Sequence, residues 1–353
     1  MKTNIYTGVL FIFLLSGISF QVSARENENK GEKKEKFNAN AFILDHIAES
    51  HEWHLYNKKD GESIAVYLPV ILYTKEKGLN IFSSRRLAEG QEYRGFKLEE
   101  EGNLKGKIVT VDADGRADEE NLPLDLSVTN TVLGMMGAAL LCLLLFLYLA
   151  KSYKKTGISK PEGLQSFLEP VILFVRDDIA IPNLGDHKYE RYMPYLLTVF
   201  FFILANNLMG IVPFPPPFGA NVTGNIAVTL TLAAFSFVII QFSGNKSYWQ
   251  HIFATPGVPV WLLPIMVPVE IIGLLAKPFA LMIRLFANIL AGHIIRLSLI
   301  ALIFIFGTLA LAPVSVFFVI FMDFLELLVA FLQAYIFTLL SALFIGMAIQ
   351  ESH

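Results

Sequence analysis

The sequence predicts an all-α polytopic membrane protein with a small α+β module ahead of its membrane part, and three observations predict it. Hydrophobic residues make up 54% of the 353-residue chain and charged residues only 17%, with a mean hydropathy of +0.53, more apolar surface than a soluble core would use. Charges are segregated: residues 25–128 hold most of the Lys, Arg, Asp and Glu, whereas residues 129–353 are long apolar runs with short polar breaks. The later runs are long enough to form about five membrane-embedded helices. The formal net charge of -3 is too small to point to nucleic acid.

The elements follow in order. Residues 1–24 combine Lys2, an apolar stretch and small residues at Val22-Ser23-Ala24, the pattern of a secretory signal peptide; a mature chain would then start outside the cytoplasm of a bacterial cell. Residues 25–40 are polar and low in complexity and read as a disordered leader. Residues 42–56 place apolar side chains at helical spacing, and VYLPVILYT, LNIFSS, RGFKLEEE and KIVTVDAD read as strands divided by turn residues. Residues 25–128 thus form an extracytoplasmic module. His46, His51 and His54 beside Glu49 and Glu52 lack the HExxH spacing and read as a solvated helix face. DADGRADEE would need a Ca²⁺ loop running from Thr110 to Asn121, both poor ligands at those positions, and reads as an acidic turn. The single cysteine, Cys142, lies in an apolar run, so the module contains no disulfide.

The membrane part, residues 129–353, opens with a span over 129–150 whose basic flank, Lys151, Lys154, Lys155 and Lys160, marks the cytoplasmic side. GLQSFLEPVILFVRDD (163–178) is too short and polar to cross and reads as an amphipathic interfacial helix. Spans follow at 192–212, closed by Pro213, Pro215, Pro216 and Pro217, and at 226–242, which leads into the loop GNKSYWQH. Two runs, 259–306 and 314–349, exceed what a core of about 30 Å requires. They form a long tilted hairpin.

That hairpin carries charges whose cost in hydrocarbon, about 2.5–3.5 kcal/mol each even on the insertion scale, demands a use. Glu270, Lys277 and Arg284 recur every seven residues and share a face, with Asn288 one turn beyond Arg284. On the second run Glu326 and Gln333 are seven apart and Asp323 lies one turn before Glu326. With the bend centred near Leu309 and Ala310, positions equidistant from it lie level. His293 then stands opposite Glu326, Arg296 opposite Asp323, and Arg284 within about a turn of Gln333. Buried ionisable groups pair, and no carboxylate on the second run stands level with Arg284, so its counter-ion is expected from another subunit.

KPFALMIRLFANILAGH and LQAYIF, together with GLQSFLEPVILFVRDD, NNLMGIVP and VTLTLA, resemble subunit a of the F-type ATP synthase, the membrane stator facing the ring of c subunits. The resemblance covers residues 129 to the C-terminus. It implies that Arg284 is the essential arginine, that Asn288 and Gln333 are its amide neighbours, and that Glu270 and Lys277 match the family's glutamate and the lysine of its KP dipeptide. His293 and Glu326 exchange the glutamate and histidine of the best-known bacterial pattern, as mitochondrial members do. Arg296 and Asp323 stand where that pattern is apolar, and the exported module is an addition.

The resemblance implies a proton-translocating stator with two aqueous half-channels, not catalytic on its own, that needs no cofactor or metal. Its expected partners are the c-ring, the b subunits of the peripheral stalk and membrane lipid. The location implied is the bacterial inner membrane, with a cytoplasmic C-terminus. His293, Glu326, Asp323 and Arg296 would line the half-channel open to the outside; Glu270 and Lys277 would lie on the exit path. Two other readings are a structural membrane anchor for an exported domain and a self-contained secondary transporter; the latter lacks the internal repeat such folds show.

Overall fold

A computed structural model describes residues 43, 49–57, 63–99, 104–111, 117–118, 121–156, 163–212, 217–254, 259–306 and 311–350. The signal peptide, the leader, His46, most of the acidic turn, Pro213 to Pro216 and the bend at Leu309 and Ala310 lie outside the described residues. The chain divides into two compact units. One comprises residues 1–133, 210–220 and 292–325, the other 134–209, 221–291 and 326–353.

Among the described residues of the first unit, eight short strands form three antiparallel sheets: β1 (Glu52–Asn57) with β2 (Ser63–Tyr67); β3 (Pro69–Thr74) between β4 (Gly78–Ser83) and β8 (Leu124–Asp125); and β6 (Ile108–Val111) between β5 (Phe96–Leu98) and β7 (Ala117–Asp118). Alternation sets what each strand buries. Val70 and Leu72 of β3 pack with Leu87, Phe96 and Ile108 to make the module core. The helix expected over 42–56 is corrected at its C-terminal end, where Glu52–Asn57 is a strand. A short apolar pattern is ambiguous between the two periods, and pairing with β2, which aligns Trp53 with Val66 and Glu52 with Tyr67, decides it.

The predicted strands at 66–74, 79–84, 94–101 and 107–114 are present as β2 to β6, split at Leu68; Glu100, Glu101 and residues 112–114 lie outside the described residues. The same unit holds the start of helix α1 (Asn130–Thr156). Asn130 N–H donates to Ser50 O at 3.0 Å, Ser50 N–H donates to Asn130 Oδ1 at 3.2 Å, and Thr129 Oγ1 donates to Glu49 Oε1 at 2.5 Å. The strand module is therefore bonded to the first turn of the helix.

In the second unit α2 (Leu164–Phe174) continues through a π-helical stretch, Val175–Ala180, into α3 (Ile181–Leu184). Helices α4 (Tyr189–Ile211), α5 (Ile226–Ser243), α6 (Lys246–Phe253), α7 (Leu263–Phe306) and α8 (Ala312–Ile349) follow, with residues 210–211 of α4, 292–306 of α7 and 312–325 of α8 belonging to the first unit. The loop expected at 244–251 is instead mostly α6, whose Asn245 donates from Nδ2 to Ile349 O at 2.6 Å. Among the described residues five helices, α1, α4, α5, α7 and α8, are long and apolar enough to cross a membrane. The chain is a multi-pass membrane protein. At about 1.5 Å per residue, the 44 residues of α7 and the 38 of α8 are far longer than one crossing. Pro268 and Pro278 lie inside α7 without ending it.

Leu281, Leu285 and Ile289 of α7 and Ala334 and Phe337 of α8 share one buried cluster with Leu196, Phe200 and Ile203 of α4. Side chains i, i+4 and i+8 make that stripe on α7. Gly346 lets α8 approach α3: a Cβ there would collide with the Asn183 carbonyl oxygen.

Candidate functional site

The site is built from the two faces of α7 that the buried stripe leaves. Leu281, Leu285 and Ile289 are 2%, 0% and 6% exposed, which fixes the helix rotation. Arg284, directly before Leu285, is then half-buried, and Asn288, one turn on, is exposed. Ala280, Ala287 and Ala291 are exposed beside them; small side chains let a neighbouring helix approach closely in a membrane. Among the described residues no hydrogen bond or ion pair reaches Arg284.

Gln333 is 4% exposed on α8, next to Ala334 of the shared cluster. Leu285, beside Arg284, and Ala334, beside Gln333, belong to the same buried cluster. Toward the cytoplasmic end of α7 in the expected topology, Glu270 is half-buried. Lys277 is exposed, its Nζ 5.4 Å from the centroid of the Phe344 ring.

In the first unit residues 292–325, where α7 ends and α8 begins, bring three of the predicted groups together. Arg296 Nη1 lies 3.5 Å from Asp323 Oδ1, both side chains about one-eighth exposed at 14% and 13%. Arg296 Nη2 lies 2.6 Å from His293 Nδ1. The level pairing of Arg296 with Asp323 is therefore present. Glu326, which begins the second unit's portion of α8, is buried at 7% exposure.

A buried polar cluster that the sequence reading did not single out lies on α4 and the turn before α5. Asn207 Nδ2 donates to Ala330 O at 3.3 Å, one turn before Gln333, and Thr223 Oγ1 donates to Asn207 Oδ1 at 2.6 Å. Asn206 donates to Phe202 O at 2.7 Å, and its Oδ1 has no hydrogen-bond partner among the described residues. The Asn206-Asn207 pair inside an apolar span was the available signal, since an amide there needs partners.

His51 resolves differently from the solvated helix face expected of it. His51 is 8% exposed, and its Nε2 donates to Asp125 Oδ2 at 2.9 Å. The side chain of His54 is outside the described residues. Among the described residues no cluster of three or more His, Cys, Asp or Glu could hold a metal ion.

The family model of the ATP synthase A chain matches residues 132–346, and that of a domain of unknown function matches residues 42–130. The chain is 51% identical over 236 residues to ATP synthase subunit a of Chloroherpeton thalassium, an alignment covering 65% of this chain and 69% of the relative. It is 49% identical over 235 residues to ATP synthase subunit a of Myxococcus xanthus, covering 65% and 75%. To ATP synthase subunit a 2 of Chlorobaculum tepidum the identity is 50% over 235 residues, covering 65% of each. A match of this extent removes the structural anchor and the self-contained transporter as readings. The chain belongs to the ATP synthase A chain family, the non-catalytic, proton-translocating stator subunit that works with the c-ring in the ATP synthase complex.

Proposed function

We propose that Arg284 is the fixed cation that meets each c-ring carboxylate as it arrives, with Asn288 and Gln333 as its polar neighbours. The observation that carries this reading is a half-buried guanidinium, on an apolar helix, with no partner of its own among the described residues. A carboxylate facing lipid stays neutral because its ionised form is poorly solvated there. Beside a guanidinium, which is always charged, the ionised form is favoured. Arg284 thus attracts the acid, promotes its deprotonation and bars direct leakage between two half-channels. One charge moved through the field is worth about 2.3 kcal/mol per 100 mV, and that work turns the ring.

His293, Glu326, Asp323 and Arg296 line the half-channel open to the outside, and Glu270 and Lys277 the path to the cytoplasm. The buried amides Asn206 and Asn207, with Thr223, extend the polar lining toward Gln333; the orphaned Asn206 oxygen suits a bound water. Residues 1–24 are the signal peptide, 25–128 the extracytoplasmic module and 129–353 the membrane domain. The basic flank at Lys151 and Lys154 supports a cytoplasmic end for α1 in an inner membrane; five crossings would then leave the C-terminus in the cytoplasm as well. The b subunits of the peripheral stalk hold this chain against the torque.

Arg284→Ala tests the central assignment. In inverted membrane vesicles it should abolish ATP-driven proton pumping while the complex still assembles, as shown by co-purification of the c-ring. Pumping retained in an assembled complex would reject the role.

A further inference from the structure

The sheet β4-β3-β8 is apolar on both faces. One face gives Val70 and Leu72 to the module core. On the other, strand register places Ile71 opposite Ile81, and Tyr73 between Leu79 and Leu124; Leu126 extends the pairing by donating its N–H to Ile71 O at 2.9 Å. Tyr73, Leu79, Ile81, Leu124 and Leu126 are 47–59% exposed. A sheet that faces water alternates apolar-in with polar-out. This one carries no charge at the strand positions of its outer face, and a contiguous apolar patch of that kind marks an interaction surface.

Two further observations identify the occupant. Leu126 stands four residues before Asn130, where the first membrane-crossing helix begins, so at roughly 3.3 Å per residue the patch ends about 13 Å of chain from the bilayer entry. The module is also bonded to that first turn through Ser50, Glu49, Thr129 and Asn130, and β3 itself accepts at Pro69 O from Val128 N–H at 3.0 Å, two residues before the helix. The apolar face therefore ends within a few residues, along the chain, of the start of the first crossing helix.

We propose that the outer face of β4-β3-β8 is a lipid-seating surface. It beds Leu79, Ile81, Leu124 and Leu126 into the interface of the leaflet at which α1 starts, with Tyr73 at headgroup level, where amphipathic rings are favoured. Seated this way, the module braces the outer end of α1 against the bilayer. The inference does not depend on which leaflet this is, nor on the role given to Arg284.

The test uses the assembled complex in phosphatidylcholine vesicles. In a Cys142→Ser background, nitroxide labels are placed at Ile81→Cys and Leu124→Cys, and at Glu92→Cys, which is exposed elsewhere on the module. The ratio of relaxation by oxygen to relaxation by a water-soluble nickel chelate should be several-fold higher at 81 and 124 than at 92. Equal ratios at all three would place the face in water and overturn the proposal. Immobile labels shielded from both relaxants would place a protein on the face and overturn it as well. Tyr73→Cys and Leu79→Cys replace either position whose variant fails to assemble.

Discussion

Arg296 Nη2 donates a hydrogen bond to His293 Nδ1 across 2.6 Å, and since a guanidinium has no acceptor, that ring nitrogen carries no proton. His293 is thereby the neutral tautomer with its proton on Nε2. The same guanidinium is held from the other side by Asp323 at 3.5 Å. In the proposed half-channel, a histidine held at Nδ1 in this way would take and give its mobile proton at Nε2, with Arg296 as a positioning residue.

The ¹⁵N spectrum of His293 in the complex should show Nδ1 unprotonated. Arg296→Gln, whose amide can accept as well as donate, should give mixed tautomers and a several-fold loss of pumping rate without the complete loss expected of Arg284→Ala. An unchanged tautomer in that variant would remove Arg296 from the role.

Thr223 and Asn207 make the next prediction. Thr223→Val keeps the shape and deletes the hydroxyl that donates to Asn207 Oδ1 at 2.6 Å, leaving a buried acceptor unmatched. The cost should be about 1–3 kcal/mol, read as earlier thermal dissociation of the detergent-solubilised complex. Thr223→Ser keeps the donor and should restore most of it.

Gly346 supplies a third. A methyl group at this position meets the Asn183 carbonyl oxygen, which is backbone and cannot swing aside as a side chain could. Gly346→Ala should therefore destabilise by about 1–3 kcal/mol, as overpacking does. Gly273, where an added Cβ meets nothing within 4 Å, is the control: Gly273→Ala should leave stability unchanged or slightly higher.

What was legible in the sequence was whatever hydrocarbon enforces. Every crossing helix was visible because a span must be apolar along its length, and the pairing of Arg296 with Asp323 because charges at one depth must find each other. What was not legible depended on partners far along the chain. His51 reads as one of several exposed histidines until the fold brings Asp125, 74 residues away, against it. The strand at Glu52–Asn57 has its outcome decided by β2 rather than by its own periodicity, and α6 hides in a polar stretch because Asn245, just before its first turn, is tied to the end of α8. Arg284 was conspicuous for the opposite reason: its expected partner is on another chain.

The last prediction concerns the clamp beneath the module. Burial alone would raise the Asp125 carboxyl, but hydrogen bonds from His51 Nε2, the Ser127 hydroxyl and the Ser127 N–H outweigh it and hold the group below its ordinary value. A carboxyl with a depressed folded-state value contributes stability in full above its unfolded value, about 3.9, and that contribution is lost as pH falls through the folded one. Amide hydrogen exchange of residues 69–74 and 124–128 should therefore be slow and level from neutral pH down to about 5, once corrected for intrinsic rates, and should speed up selectively below about 4. Asp125→Asn keeps the size but cannot ionise. It should exchange faster at neutral pH and lose the selective acid step, and persistence of that step in the variant would assign it to another carboxylate.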